Sequence, residues 1–547
     1  MSFAYTKENL THGEKRLQRL LEIIPGALSW LILLGMLICS VLKPVWASLV
    51  SIVFIFYWFI RLIYMTLFLV LSFSRLNLEK STDWMAWIQT VDQLGTGAKF
   101  PQPADFPAFK EKITYHQRCK ELRRLQASGN RPPLSKDIVH MVIFPVAKEP
   151  PDVIRPGVEA IASQTFPSRQ ILVAYALEES APEATRIALQ NLAEQLKNQF
   201  LDFLIIVHPS GLPGEARVKG ANASYAATKA AEILTQRKIL FENVVVSCFD
   251  ADTVVNRNYF ACLTYYFLVT PDRTQASFQP IPVYHNNIWN VPGFSRVMEI
   301  GSSFFQLIEA TNPEQLVTFS SHSMSFQALV DLDYWPRDMI SDDSAIFWKA
   351  YLHYHGRYRV VPIYVTLSMD ATFANSRWQT MKNIYKQRRR WAYGVENFPI
   401  LVRGFMKVSR IPLWEKLCHG FKMLEGHVSW ATWGFLLTTL SWLPAIWADR
   451  EFQKSVVSYN EPHITGTIFR LSTVALIISI ALSMTLLPRP PVKFGWIKRL
   501  RHALEWLTIP LVMVLLSALP ALDAQTRLMF GKYMEFWVTD KSRRNNA

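Results

Sequence analysis

Long apolar runs lie at both ends of the chain, on either side of one extended hydrophilic block. Residues 23–42 contain no Asp, Glu, Lys or Arg, and about 20 helical residues at 1.5 Å each span the roughly 30 Å hydrocarbon core of a bilayer. A second run, residues 44–74, is interrupted only by Arg61, whose side chain we expect to reach the headgroups near the cytosolic end. The pattern predicts a transmembrane hairpin over residues 1–75.

Three more apolar runs follow, over residues 428–448, 471–488 and 506–522, and they predict C-terminal transmembrane helices within residues 427–530. The connection between the last two runs is strongly basic, with one acid, Glu505, against Arg489, Lys493, Lys498, Arg499 and Arg501. Because basic loops remain on the cytosolic side, we expect the hydrophilic block, residues 76–397, in the cytosol. The chain is then a multi-pass protein of the plasma (inner) membrane.

Residues 398–426 lie between the hydrophilic block and these C-terminal runs. Apolar residues alternate there with the cations Arg403, Lys407, Arg410, Lys416 and Lys422, a pattern typical of an amphipathic helix on anionic lipid. The chain has 58 Lys plus Arg against 43 Asp plus Glu, a net charge of +15, which by itself would fit nucleic acid, an anionic membrane or an acidic substrate. Because much of this excess lies beside apolar runs, we expect membrane lipids, and no nucleic acid, as partners.

The hydrophilic block alternates short apolar runs with helical patterns. The runs at residues 138–144, 170–176, 201–207 and 244–249 predict strands, and their alternation with helices predicts a parallel α/β sheet. The five cysteines show neither paired nor CxxC spacing, which argues against a disulfide framework and a zinc site. Ligands of such sheets bind beyond the carboxyl ends of the strands, so the residues after each run are the first candidates for a site.

Asp250 and Asp252 directly follow the run at residues 244–249. Two carboxylates at the end of a buried strand suit Mg²⁺ or Mn²⁺, which take oxygen ligands and commonly share them with a substrate phosphate. The pair therefore indicates binding of a nucleoside diphosphate group, although a solvated turn explains it equally when it is taken alone.

Two further motifs have both a structural and a functional interpretation. Asp342 and Asp343 precede an apolar helical pattern, where N-capping is the simple explanation. The QRRRW motif at residues 387–391 fits a solvated basic helix face. Its spacing also places Gln387, Arg390 and Trp391 on one side of a helix, as a binding site requires.

The order of these motifs resembles a known family. The DxD pair after a strand, the acid pair, QRRRW, and FWVTDK at residues 536–541 are similar to the motifs of membrane-embedded processive family 2 glycosyltransferases of the cellulose synthase, hyaluronan synthase and chitin synthase type. FWVTDK, within a tail at residues 531–547, looks like the FxVTxK gating loop of bacterial cellulose synthases. The resemblance implies a cytosolic α/β, GT-A-like (Rossmann-like) glycosyltransferase domain inserted in an α-helical transmembrane bundle that carries a polymer channel.

The resemblance also implies roles for the residues at matching positions. Asp343 would be the catalytic base, and Asp250 and Asp252 would bind the donor diphosphate and its metal ion, Mg²⁺ or Mn²⁺. Further contacts to the donor and its diphosphate would come from Glu149, Glu178, Lys219, Gln387, Arg390, Thr539 and Lys541. Trp391 and Asp342 would bind the acceptor.

The function implied is that of a membrane polysaccharide synthase. It would transfer a hexosyl or N-acetylhexosaminyl group, with inversion, from a nucleotide-sugar donor, expected to be UDP-linked, to the hydroxyl of a growing glycan, and would couple transfer to polymer translocation. One alternative is a non-processive enzyme that adds a sugar to a lipid-linked acceptor, which product length would distinguish. Another is an inactive scaffold subunit of a polysaccharide-export complex with export proteins as partners, which donor hydrolysis with added metal would distinguish.

Overall fold

The computed structural model describes residues 10–94, 109–129, 131–447, 450–490 and 495–535. The described chain forms two units. The described residues within 71–287 and 303–370 form the α/β unit, and those within 10–70, 288–302 and 371–535 form the helical unit. Thr539 and Lys541, the expected gating-loop residues, lie outside the described residues.

Helices of the described chain carry the labels α1 to α20 in sequence order. They are α1 (His12–Leu42), α2 (Pro44–Glu79), α3 (Trp84–Leu94), α4 (Phe109–Ala127), α5 (Pro151–Ala162), α6 (Glu183–Leu196), α7 (Lys219–Gln236), α8 (Tyr259–Val269), α9 (Gly293–Glu309), α10 (Phe326–Asp331), α11 (Asp342–His353), α12 (Arg377–Ala392), α13 (Asn397–Lys407), α14 (Leu413–Thr438), α15 (Leu443–Ile446), α16 (Arg450–Gln453), α17 (Val456–Leu486), α18 (Trp496–Leu504), α19 (Ile509–Met513) and α20 (Leu519–Met529). α2 and α9 contain residues of both units; α3–α8, α10 and α11 belong to the α/β unit, and the others to the helical unit.

The described part of the α/β unit contains one eight-stranded sheet. Its strands are β1 (Val139–Val146), β2 (Ile171–Glu178), β3 (Asp202–His208), β4 (Val244–Cys248), β5 (Val254–Val255), β6 (Ala276–Val283), β7 (Ser323–Ser325) and β8 (Arg359–Ser368). The strand order is β3-β2-β1-β4-β7-β6-β8-β5. β1 to β4 are mutually parallel and confirm the predicted strands and the α/β fold class. β7 is antiparallel to both of its neighbours, so the sheet is mixed rather than wholly parallel as expected.

Helix α7 brings its first turn to the carboxyl end of the sheet. β4 is buried along its whole length, as expected for a central parallel strand that helices cover on both faces. Ala223, Ala226 and Ala230 of α7 are 0% exposed, so small side chains let the helix approach the strands closely. Asn222 Nδ2 donates a hydrogen bond to the carbonyl oxygen of Ala176, near the end of β2, at 2.8 Å. The first residue of α7 therefore lies where ligands of α/β sheets bind.

Four segments of the described chain are long and apolar enough to cross a membrane, namely α1, α2, α17 and Leu500–Met529. The predicted run at residues 428–448 is divided, because α14 ends at Thr438 and the short α15 follows. Within Leu500–Met529, a π-helical turn, Val514–Ala518, lies between α19 and α20.

Helix α20 runs antiparallel to α1. Ser29 Oγ donates to Gln525 Oε1 at 2.7 Å, and Tyr533, just after α20, donates from its hydroxyl to Glu22 Oε2 at 3.0 Å. A Cβ at Gly26 would lie 2.9 Å from the carbonyl oxygen of Gln525, so this glycine permits the close approach of the two helices. The end of α20 therefore lies beside the first half of α1.

The segment expected to lie on lipid, residues 398–426, has two parts with different surroundings. In α13, Arg403 is 2% exposed, and its Nε donates to Gln18 Oε1 at 2.8 Å. Arg403 is thus bound inside the helical unit and does not lie on lipid. The prediction was wrong for this residue because a pattern of alternating apolar and basic residues cannot distinguish an internally paired cation from a surface one. Leu413, Trp414 and Phe421 of α14 are 71%, 75% and 72% exposed.

Candidate active site

Lys219 connects the two acidic motifs of the α/β unit. Its Nζ lies 2.9 Å from Asp250 Oδ1 and 3.1 Å from Asp343 Oδ1. Asp250 follows β4, Asp343 lies in the first turn of α11, and Lys219 begins α7. The Lys219 side chain is 9% exposed, against 30% for Asp250 and 23% for Asp343. Three segments distant in sequence therefore form one partly open ion-pair cluster.

The neighbours of Lys219 keep it charged. Burial alone disfavours the ammonium form, but the carboxylates of Asp250 and Asp343 outweigh burial and raise the pKa of Lys219 well above its ordinary value. Lys219 is therefore a cation at neutral pH. A fixed cation at the end of a sheet can stabilise an anionic group of a ligand.

Gly220 allows α7 and the start of α11 to approach each other. A Cβ at this position would lie 2.4 Å from the carbonyl oxygen of Pro336 and 3.0 Å from the Cβ of Asp342. The segment before α11 thus packs directly on the first turn of α7. This contact sets the separation between Lys219 and Asp343.

Asp342 and Asp343 have different surroundings. α11 begins at Asp342, and its N-cap residue, Ser341, makes no capping hydrogen bond with its side chain. Asp342 is 3% exposed, whereas the side chain of Asp343 is 23% exposed. Both acids lie in the first turn, where the helix dipole favours negative charge. Neither acid is the N-cap residue, and Asp343 is the more accessible of the two.

The carboxylates of the DxD pair are held by different groups. Asp252 is 0% exposed, and its Oδ2 accepts a hydrogen bond from the backbone N–H of Asp370 at 2.7 Å. Asp250 Oδ2 accepts from Ser320 Oγ at 2.6 Å. Among the described residues, no group of three or more His, Cys, Asp or Glu could hold a metal ion. Carboxylate oxygens are the ligands that Mg²⁺ and Mn²⁺ prefer, and Asp250 and Asp252 are the acids after β4 that could supply them.

Glu178 and Glu149 lie at the ends of β2 and β1. Glu178 Oε1 is 3.5 Å from His208 Nδ1, and His208 Nε2 is 2.9 Å from Glu215 Oε2. Burial raises the pKa of Glu178, and the contact with His208 opposes this rise. Glu149 Oε2 accepts from the backbone N–H of Ala147 at 2.8 Å, so Glu149 closes the turn that follows β1.

The QRRRW motif lies in α12 of the helical unit. Gln387 Oε1 accepts a hydrogen bond from Thr372 Oγ1 at 2.9 Å. Arg388 Nη2 donates to Glu299 Oε2 at 2.8 Å, and its guanidinium carbon lies 4.3 Å from the centre of the Trp391 ring. Two members of the motif are therefore fixed by neighbouring polar groups.

The next arginine of the motif contacts a different helix. Arg389 Nη1 donates to Asp523 Oδ2 on α20 at 2.8 Å, whereas Arg390 lies in the last turn of α12. The structure thus brings Lys219, Asp250 and Asp343 together in the α/β unit, and the QRRRW residues lie in the helical unit.

Ser320, Asp370 and Asp523 have no counterpart among the sequence predictions. Asp370 closely follows β8, so the rule that selected Asp250, an acid after a strand, would also have selected it. Asp523 had a signal of its own, because an acid beside a long apolar run marks a candidate functional position. Ser320 had no such signal.

The sequence matches a known family over part of its length. Residues 245–488 match the model of the family described as Glycosyl transferase family group 2, and this region includes Asp250, Asp343 and the QRRRW motif. Over 179 residues the chain is 30% identical to the poly-beta-1,6-N-acetyl-D-glucosamine synthase of Staphylococcus aureus strain COL. This match covers 31% of this chain and 39% of the relative. The chain thus spans about two fifths of the curated relative.

Two solved structures are similar at low identity. The mannosyltransferase PcManGT from Pyrobaculum calidifontis, in complex with GDP-Man and Mn²⁺, aligns over 74% of this chain and 98% of its own, with a TM-score of 0.36 and 16% identity. S. aureus TarS in complex with UDP-GlcNAc aligns over 60% of this chain and 92% of its own, with a TM-score of 0.28 and 15% identity. By sequence, residues 245–488 of the chain are therefore similar to the Glycosyl transferase family group 2, and a stretch of 179 residues is similar to a poly-beta-1,6-N-acetyl-D-glucosamine synthase.

Proposed function

We propose that the protein is a membrane polysaccharide synthase that transfers a hexosyl or N-acetylhexosaminyl group from a UDP-sugar to a growing glycan, with inversion. The observation that carries this proposal is the meeting of Asp250 and Asp343 at Lys219. A phosphate- and metal-binding acid, a cation for the leaving group and a candidate general base then belong to one site. The family match and the similarity to a poly-N-acetylglucosamine synthase support sugar transfer, and the four apolar segments support a membrane location.

In the proposed reaction, Asp343 accepts the proton of the acceptor hydroxyl while the hydroxyl oxygen attacks the anomeric carbon of the donor. The nucleoside diphosphate leaves from the opposite side of that carbon, which inverts its configuration. General-base assistance typically contributes about 10²- to 10⁴-fold to the rate. Lys219 stabilises the negative charge that gathers on the diphosphate, an electrostatic effect commonly worth about 3 kcal/mol.

Asp250 and Asp252 would hold Mg²⁺ or Mn²⁺ together with the donor diphosphate. When bound, the cation neutralises charge on the phosphate oxygens. The chain's own contribution is to fix the two carboxylates, since the backbone N–H of Asp370 binds Asp252 and the hydroxyl of Ser320 binds Asp250.

The nucleoside would lie along the carboxyl end of the sheet. β1 lies between β2 and β4, and two strand spacings of about 4.8 Å separate Glu178 from Asp250 by roughly 10 Å along the edge. A nucleoside with its first phosphate spans such a distance. Glu178 and Glu149 are therefore proposed to contact the nucleoside, while Lys219 contacts the diphosphate.

The QRRRW residues are also proposed to act on substrate. Gln387 and Arg390 are proposed to contact the diphosphate and the acceptor region, and Trp391 and Asp342 to bind the acceptor sugar, whose apolar face suits an aromatic ring. The antiparallel course of α20 beside α1 supports a tail on the same side of the membrane as the N-terminus, which we propose to be the cytosolic side. Thr539 and Lys541 of that tail are proposed to close over the donor.

The test incubates the purified full-length protein with a panel of nucleotide sugars and Mg²⁺ or Mn²⁺, and it measures nucleoside diphosphate release and product mass. We expect release and a glycan product with a UDP-sugar, strongly reduced in Asp343→Asn. Asp331→Asn is the matched control, because Asp331 is an exposed acid of the same unit whose carboxylate accepts from Tyr354 at 2.8 Å. A single added sugar would favour the non-processive alternative, and no release with any donor would favour the scaffold subunit.

A further inference from the structure

Helix α20 carries an acid that binds two successive turns of the QRRRW helix. Asp523 Oδ2 accepts hydrogen bonds from Arg389 Nη1 at 2.8 Å and from the hydroxyl of Tyr385 at 3.2 Å. Its Oδ1 accepts from Arg527 Nε, on α20 itself, at 2.8 Å. The side chains of Asp523 and Arg389 are 24% and 22% exposed. The pair is therefore partly desolvated, and salt screens it less than an exposed pair.

The residues bound by this acid lie on one side of α12, and the candidate substrate residues lie on the other. Helical residues are about 100° apart around the axis, so Tyr385 and Arg389 share one side. Gln387, Arg390 and Trp391 fall on the opposite side. Arg389, the central arginine of the motif, thus connects α12 to α20 on the side opposite to Gln387, Arg390 and Trp391.

Helix α20 is also hydrogen-bonded to two other helices, α1 and α14. Gln525, two residues after Asp523, accepts from Ser29 Oγ of α1 at 2.7 Å and donates to the carbonyl oxygen of His427 in α14 at 2.6 Å. An ionisable residue in a long apolar segment is costly without partners, and two of the partners of Asp523 lie on α12. Asp523 therefore links α12 to α20, which is hydrogen-bonded to α1 and α14 as well.

We propose that Asp523 is a positioning residue that holds α12 in the orientation in which Gln387, Arg390 and Trp391 act on substrate. This inference rests on the proposed function, because it requires the QRRRW residues to act on substrate. Asp523 itself touches neither reactant. Since a misplacement of about 1 Å can cost about 10²-fold in rate, the loss of this carboxylate acts on kcat rather than only on stability.

The test compares Asp523→Asn with Glu425→Gln in the purified full-length protein. Glu425 of α14 pairs with Arg61 at 2.6 Å, and the two side chains are 29% and 31% exposed, so the control removes an ion pair of similar exposure from the same unit. At saturating UDP-sugar, Asp523→Asn should lower kcat by about 10- to 100-fold. Glu425→Gln should change it by about twofold at most. The double variant, Asp523→Asn with Arg389→Gln, should lose no more than Asp523→Asn alone, because both changes remove the same contact.

Equal losses of kcat in Asp523→Asn and Glu425→Gln would assign Asp523 to stability alone and overturn the inference. A double variant in which the losses of the two single variants add would do the same. Unfolding temperatures of Asp523→Asn, Arg389→Gln and the double variant supply a readout independent of activity, and additive effects at positions 389 and 523 would also overturn the inference. If the unaltered protein releases no nucleoside diphosphate from any donor, the proposed function itself fails, and the inference falls with it.

Discussion

Gly220 is the position where a single methyl group should disturb the candidate site most directly. In Gly220→Ala, the new Cβ would lie 2.4 Å from the carbonyl oxygen of Pro336 and 3.0 Å from the Cβ of Asp342. Carbon and oxygen atoms rarely approach below about 3.3 Å, so one of the two backbones must move by about 1 Å. Overpacking costs about 1–3 kcal/mol, while the helix propensity of alanine returns about 1 kcal/mol. Because the contact is so short, we expect a net destabilisation of about 2 kcal/mol.

The effect on transfer should exceed the effect on stability. α7 begins at Lys219, so moving α7 away from α11 separates Lys219 from Asp343. A displacement of about 1 Å can reduce the rate by about 10²-fold, whereas 2 kcal/mol lowers the unfolding temperature of a domain of this size by about 4–8 °C. Both quantities are measured on the purified variant, transfer by nucleoside diphosphate release and stability by thermal unfolding.

Gly301→Ala is the matched control for this substitution. Gly301 lies within α9, and a Cβ there has no atom within 4 Å, so only helix propensity should act and stability should rise by up to about 1 kcal/mol. If Gly220→Ala retains the original unfolding temperature and transfer rate, the contact between α7 and α11 does not set the geometry of the site.

Four further outcomes are expected. Asp343→Asn should keep donor binding and lose about 10²-fold or more in transfer rate, because the amide is not a base. The same loss in Asp342→Asn, without a loss in Asp343→Asn, would show that Asp342 is the general base instead. Transfer should stop in excess EDTA and return with Mg²⁺ or Mn²⁺, and full turnover without metal would exclude the cation. Burial lowers the pKa of His140 to about 3, below the roughly 6.5 of unfolded histidine. Between these two pKa values the unfolded chain binds more protons than the folded chain. Denaturant titrations should therefore show the free energy of unfolding falling by about 1.4 kcal/mol per pH unit as the pH drops below 6.5. His140→Gln should flatten this pH profile, and an unchanged slope in that variant would contradict the prediction. In intact cells, Asn546→Cys should be shielded from impermeant thiol reagents, and labelling from outside would reverse the proposed side of the tail.

Strands β1 to β4 were predictable from the sequence, whereas β7, which is antiparallel to both of its neighbours, was not. β1, β2 and β4 are nearly continuous apolar runs, as expected for strands buried on both faces. β7 has only three residues, Ser323–Ser325, and no apolar pattern. It forms because β4 and β6 lie on either side of it, a tertiary effect that overrides local propensity.

The candidate site shows the same division between local and tertiary information. Asp250 was predictable because it directly follows a buried strand. Its pairing with Lys219 and Asp343 depends on the return of α7 and α11 to one edge of the sheet, which no local pattern encodes. Arg403 was expected on lipid because its neighbours alternate between apolar and basic residues, whereas its partner Gln18 lies 385 residues away in the chain.

The π-helical turn Val514–Ala518 allows the last apolar segment to take up a change in chain length. A π turn accommodates one residue more than an α turn, so deleting one residue there would restore a regular helix. The residues on either side of the turn would keep their positions, because the turn alone takes up the extra residue. Asp523 would still face α12, and Gln525 would still face α1. Homologous chains that lack one residue in this turn would therefore keep both contacts, whereas a deletion in the regular helix just before Asp523 would rotate both side chains by about 100°.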